Sequence, residues 1–164
     1  MERKTIDALV WIVGVLEKHE VEYQISGGFA AKLYGSPREL NDIDIDIREK
    51  YFETVLPEVS PYVTFGPARF NDGKFDCDLM TLDYGGQEID ISGTDTLRMS
   101  NKDRTEWISY PNFTFDTLDT DVAGISLKVV HPWKLIEYKK ELDGEHQHAD
   151  IQAAQAYIAQ NGIR

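Results

Sequence analysis

SGGFAAKLYGSPRELNDIDIDI, residues 26–47, is the stretch from which the rest of the chain is read. It holds a diglycine, a short helical segment, Arg38, and then Asp42, Asp44 and Asp46 at every second position. On a β-strand, residues i and i+2 share a face, so the aspartates line one side while Ile43, Ile45 and Ile47 enter the core. Three carboxylates on one strand face repel one another, so such a face has a cation, a basic partner or open water opposite it. A hard divalent ion suits it: Mg²⁺, or Mn²⁺ in its place, takes one or two carboxylates and keeps its remaining positions for water and substrate phosphates. An EF-hand loop does not fit, because isoleucines separate the aspartates and the turn glycine is missing.

Working upstream, Tyr23 and Ile25 alternate in a short strand that runs into Gly27 and Gly28. A helix is predicted over 29–34, ended by Gly35 with Pro37 just beyond. A helix that starts after two glycines offers unpaired N–H groups and the positive end of its dipole, and glycine lets a phosphate approach the backbone. Ser26, Gly27 and Gly28 are therefore read as a phosphate cradle beside a metal site. Before them, Ile6, Leu9, Val10, Val13 and Leu16 recur at helical spacing after Thr5 as N-cap, predicting a first helix to about residue 19.

Downstream, a helix over 49–55 is interrupted by Pro57, and 62–65 reads as a strand. Runs at 75–82 and 87–91 are joined by Asp83-Tyr84-Gly85-Gly86, which is hairpin chemistry. Asp90 lies between Ile89 and Ile91 and so faces away from them; beside the Asp42 strand it becomes a third carboxylate. Asp76 and Asp78 also alternate in a strand and stand as the other source of that carboxylate. Asp46 falls outside the metal pair, as a supporting or solvated group.

The segment 92–115 reads as loops with an edge strand, carrying short apolar runs at Trp107-Ile108 and 113–115. A β-branched run at 125–130 predicts a buried strand, Pro132 opens a helix WKLIEYKKEL, and a last helix covers 150–159 before Gly162. Trp133 and Tyr138 are expected in the core. His131, His146 and His148 lie near helix starts in polar sequence, and a zinc reading of them is set aside. The whole describes one α+β domain over 1–164, a mixed sheet flanked by helices.

The totals agree with a folded domain: 164 residues, 41% hydrophobic and 11% aromatic. A net charge of −12, from 29 acidic and 17 basic residues, repels phosphate backbones and argues against nucleic acid as a partner. Cys77 is the single cysteine, which excludes an internal disulfide and a multi-cysteine zinc site. The apolar stretch near the N-terminus is broken by Asp7, Glu17 and Lys18, so no membrane span is expected and a cytoplasmic location follows.

Ser26-Gly27-Gly28, Tyr34-Gly35, Arg38 and Asp42-Ile43-Asp44 together resemble the nucleotidyltransferase superfamily that includes DNA polymerase beta, and within it the minimal and antibiotic-modifying members. The hairpin over 79–91 is similar to the one that brings the family's third aspartate, here Asp90. Residues 129–151 resemble its closing strand and helix, with Lys139 as the matching lysine and Asp150 as the matching aspartate; Lys134, Lys139 and Lys140 read otherwise as an exposed helix face. The resemblance covers 21–151 with a gap over 93–124. Departures are Asn41 before the first aspartate, the added Asp46, and His146-Gln147 where the family often has Lys-Asp.

The resemblance implies attack of an acceptor hydroxyl on the α-phosphate of a nucleoside triphosphate, with Asp42, Asp44 and Asp90 as catalytic metal ligands. It implies Ser26, Gly27, Gly28, Arg38 and Lys139 as nucleotide contacts, and a small molecule, protein or RNA end as acceptor. The competing reading is a nucleotidyltransferase-like antitoxin or regulatory module acting on a protein partner.

Overall fold

A computed structural model describes residues 1–109 and 115–164, so most of the 113–115 run lies outside the described residues. In chain order the elements are α1 (Arg3–Lys18), β1 (Tyr23–Ile25), α2 (Gly27–Leu33), β2 (Asp42–Ile47), α3 (Phe52–Val59), β3 (Val63–Asn71), β4 (Phe75–Tyr84) and β5 (Gln87–Gly93). There follow β6 (Arg98–Ser100), β7 (Trp107–Ser109), β8 (Thr117–Val122), β9 (Ile125–Val130), α4 (Pro132–Lys139) and α5 (His146–Asn161). Short 3₁₀ turns at Glu49–Tyr51 and Ser60–Tyr62 flank α3.

Alternation along β2 does what the sequence requires. Ile43, Ile45 and Ile47 are fully buried, and the three aspartates between them are half-buried. Each buried isoleucine contributes about 1.5–3 kcal/mol, which offsets the cost of gathering like charges on the other face. β2 pairs antiparallel with β1 and parallel with β5. From that centre the sheet runs one way through β1 to β9 and β8, and the other way through β5 to β4, β6 and β7. β9 joins β1 in parallel, Ile25 opposite Val129. β4 outruns β5 and pairs its first residues with β6, while its other edge takes β3. The fold is therefore α+β with a mixed sheet, and α1 lays Leu9, Ile12, Val13 and Leu16 into the same core as the β2 isoleucines.

Several boundaries differ from the sequence expectation. Helix α1 begins at Arg3, because the Thr5 hydroxyl donates to Gln87 Oε1 at 2.6 Å instead of capping the helix. Helix α3 continues through Pro57, giving up the N–H that would reach back one turn. β3 is nine residues where alternation predicted four, since Gly66 and Pro67 mask the pattern and the strand is largely exposed. The irregular 92–115 region holds β6 and β7, each too short to show a period. Trp133, expected in the core, is 49% exposed. Among the described residues, no helix is long and apolar enough to cross a membrane.

Candidate active site

The parallel register of β2 and β5 sets Asp44 opposite Asp90 and Asp42 opposite Glu88. Asp42, Asp44 and Asp90 thereby converge, with one carboxylate oxygen from each lying within 4.8 Å of the others. No histidine joins this group among the described residues. Asp90 is oriented from the neighbouring strand, where Thr81 stands directly across and its hydroxyl donates to Asp90 Oδ1 at 2.7 Å. Asp46 is drawn aside, since Gln24 Nε2 donates to its Oδ2 at 2.8 Å and the Ser26 hydroxyl adds a second hydrogen bond.

Electrostatics marks the group as short of positive charge. Burial first, and then the charges of Asp42, Asp90 and Asp46, push Asp44 well above the usual carboxylate range, against a hydrogen bond from the Phe29 N–H. Burial, with Glu88 and Asp42 adding to it, raises Asp90 to about 7, and Thr81 opposes the shift. Asp46 is raised by burial to about 6. A divalent ion among Asp42, Asp44 and Asp90 would favour their charged forms and oppose these upward shifts.

The other two carboxylates weighed from sequence lie on β4 with arginines on them. Asp76 Oδ1 accepts from Arg69 Nε at 2.8 Å, Asp76 Oδ2 accepts from Arg98, and Asp78 pairs with Arg69 at 3.4 Å. Arg69 and Arg98 hold the Asp76 carboxyl below the usual range.

The diglycine sits where the sequence put it, but its first N–H is in use. Helix α2 begins at Gly27, which adopts the left-handed conformation (φ 62°), and a Cβ there would strike the Asp44 carboxylate. Its N–H donates to the Tyr138 hydroxyl at 2.6 Å. The Ser26 N–H donates to the Asp44 carbonyl at 3.0 Å, which locks the turn to β2. At Gly28 a Cβ would press on Leu40 and on Arg38 Nη2. Both glycines are thus fixed by close packing, Gly27 on the cluster and Gly28 on Leu40 and Arg38.

Arg38 and Lys139 are brought together, around Asp150. Asp150 is 0% exposed and accepts from Arg38 Nε at 2.9 Å, Arg38 Nη2 at 2.5 Å and the Ser36 hydroxyl at 2.6 Å. Lys139, 4% exposed, sits 2.9 Å from Asp150 Oδ2 and donates to Gln147 Oε1 at 2.9 Å. Burial pushes Asp150 up, but Arg38, Ser36 and Lys139 together bring it down to about 2. Lys139, expected to meet the nucleotide, is instead buried on a carboxylate and does not line the cavity beside the cluster. It is also unlike its neighbours on the helix, since Lys134 is half-buried and Lys140 exposed.

That cavity, of about 360 Å³, is lined by the cluster, Ser26, Gly27 and Tyr138 and also by the apolar side chains of Phe70, Phe75, Leu79, Leu97 and Met99. Sequence reasoning missed Tyr138, Gln24 and Thr81. Thr81 was within reach: Tyr84 and Gln87 close the hairpin, and counting back from that pair sets Thr81 opposite Asp90. Tyr138 had no such signal, because its hydroxyl arrives from an element distant in the chain.

Residues 8–129 match the family model of aminoglycoside-2''-adenylyltransferase. A search of curated proteins gives no match. Among solved structures, TM1012 of Thermotoga maritima, a candidate nucleotidyltransferase, aligns at TM-score 0.69 and 20% identity over 100% of this chain and 97% of its own. The lincosamide antibiotic adenylyltransferase LnuA, in its lincomycin-bound form, aligns at 0.59 and 15% over 91% of this chain and 95% of its own. ANT(2'')-Ia in complex with adenylyl-2''-tobramycin aligns at 0.61 and 12% over 97% of this chain and 92% of its own. At these identities the three structures speak for the fold.

Proposed function

The chain belongs to the aminoglycoside-2''-adenylyltransferase family and is a nucleotidyltransferase, and on that premise we propose that its reaction centre is Asp42, Asp44 and Asp90, holding Mg²⁺ or Mn²⁺. The observation that carries this reading is the convergence of three carboxylates from two parallel strands to within 4.8 Å, on a face where the neighbouring charges are negative. Hard oxygen donors in that arrangement fit a divalent ion. Bound there, the ion would neutralise charge on the attacking and leaving oxygens.

The chain's own residues do the rest. Ser26, Gly27 and Gly28 receive the triphosphate beside Asp44, with Tyr138 holding the Gly27 N–H. Asp150 takes the Nε–Nη2 edge of Arg38 and so fixes the guanidinium next to Gly28, where its remaining N–H groups meet phosphate oxygens. We assign Lys139 to holding Asp150 rather than to the nucleotide. The acceptor oxygen bonds to the α-phosphorus as the bond to the bridging oxygen breaks, and pyrophosphate leaves with that electron pair. The hydroxyl proton passes to Asp90, which Thr81 orients through Oδ1. The acceptor is a small molecule, and the reaction belongs in the cytoplasm, where nucleoside triphosphates are kept.

Residues 1–164 act as one domain in this reading, supported by the packing of α5 on α2 and α4 and by the Arg38–Asp150 tie. The test is thermal unfolding with each nucleoside triphosphate, with and without Mg²⁺. A nucleotide at 100 times its dissociation constant should stabilise the fold by about 2.7 kcal/mol, dependent on metal and lost in Asp42→Ala/Asp44→Ala. Equal stabilisation of wild type and double variant would remove the cluster from the nucleotide site.

A further inference from the structure

The cavity shared with the cluster is also lined by Phe70, Phe75, Leu79, Leu97 and Met99, whose side chains offer neither a ligand to a hard ion nor a donor to a phosphate. Strand order gives the direction of the reaction: Ser26 and Gly27 follow β1, Asp42 and Asp44 lie on β2, Asp90 on β5, and β4 comes next. In phosphoryl transfer the attacking and leaving oxygens are roughly in line through phosphorus. Pyrophosphate leaving toward the Ser26–Gly27 end puts the incoming hydroxyl on the Asp90 side. There the cavity is walled by Phe75 and Leu79 of β4, Phe70 of β3, Met99 of β6, and Leu97 just before β6.

This wall is apolar, and the carboxylates of the cavity take their hydrogen bonds from neutral groups. Asp42, Asp44 and Asp90 form the cluster, Asp46 accepts from Gln24, and Asp72 Oδ1 accepts the N–H groups of Lys74 at 2.9 Å and Phe75 at 2.8 Å. An apolar or aromatic body buries its surface favourably on the same wall, and about 360 Å³ is room for a small molecule.

We propose that the acceptor is a hydroxyl compound with an apolar or aromatic body packed on Phe70, Phe75, Leu97 and Met99. The proposal rests on the reading of Asp42, Asp44 and Asp90 as the reaction centre. Phe70 and Leu97 are half-buried and select the acceptor without touching the metal or the phosphates.

The test uses 2-(2-naphthyl)ethanol as probe, titrated by fluorescence into the intact chain with Mg²⁺, with and without the non-reacting nucleotide α,β-methylene-ATP. Saturable binding that persists or tightens with nucleotide present is expected. Leu97→Asp and Phe70→Asp should each weaken the probe about tenfold, while nucleotide affinity, which also checks the fold, stays within about threefold. Displacement of the probe by nucleotide would make the wall a nucleobase seat and overturn the proposal. So would absence of saturable probe binding, or tighter binding of a polycationic aminocyclitol than of the probe. If Mg²⁺-nucleotide fails to bind while the probe binds, the underlying reaction-centre reading has failed, and the acceptor proposal falls with it.

Discussion

Asp150 and the Asp42–Asp44–Asp90 group are both carboxylates withdrawn from water, and the chain treats them in opposite ways. Around Asp150 it supplies two cations and a hydroxyl of its own, and the carboxyl falls to about 2. Around Asp44 the strongest neighbouring charges are three more carboxylates, and the group rises well above its usual range. A buried charge that is paired at home holds structure together; one left among like charges is kept for a partner from outside. The two arrangements meet at Arg38, which Asp150 grips beside Gly28.

The contrast breaks most visibly by removing carboxylates from each side. Asp42→Ala/Asp44→Ala should lower pyrophosphate release by about 10³-fold or more, because several kcal/mol of charge stabilisation go with the ion. Its metal-free melting temperature should hold or rise, since repulsion is relieved. Asp150→Asn should do the reverse. It strands Arg38 and the buried Lys139, and urea unfolding should show a loss of about 3–5 kcal/mol. If Asp150→Asn unfolds at the wild-type midpoint, the cluster around it is not structural.

Titration sharpens the same contrast, because the signs are opposite. A carboxyl lowered in the fold contributes stability that is present above the ordinary carboxylate range and lost as pH falls through its folded value, so Asp150 should drive unfolding toward about pH 2. Carboxyls raised in the fold bind protons more tightly folded than unfolded, so stability falls as pH rises from the ordinary range through the folded values. With Asp46 near 6 and Asp90 near 7, metal-free protein should melt lower at pH 8 than at pH 5. Mg²⁺ should flatten that slope by taking the place of the protons. A flat profile without metal would mean that the cluster carries no strain of like charge. The smallest effect is expected at Thr81→Val, which removes one hydrogen bond to Asp90 and should cost about 1 kcal/mol, with a few-fold loss of turnover as Asp90 loses its orientation.

What the sequence carried well was whatever has a short period. Aspartates two apart with isoleucines between them gave the face of β2, and the Gly85-Gly86 turn gave the β4–β5 hairpin that carries Asp90. The diglycine gave the turn, and the structure adds that Gly27 is required by the nearness of Asp44 as well as by its positive φ. What stayed hidden depends on contacts between distant segments. Lys139 looks like a phosphate ligand until α5 brings Asp150 onto it, and Asp76 looks as able as Asp90 until Arg69 and Arg98 close on it. The apolar wall was invisible for a third reason. Only Phe75 and Leu79 share a strand, and the other wall residues come one each from β3, β6 and a turn, with no periodicity to connect them.

The parallel pairing of β1 with β9 has a consequence for how the protein is made. On a ribosome the diglycine turn and the acidic strand emerge well before β9 and α5. Until then β1 is an open edge and Arg38 has no carboxylate to grip it. The carboxylates of the cluster are all synthesised by Asp90, but the second edge of β1 is paired and Arg38 gripped only once Val129 and Asp150 have followed. A nascent chain therefore completes this arrangement only after α5 has emerged and docked.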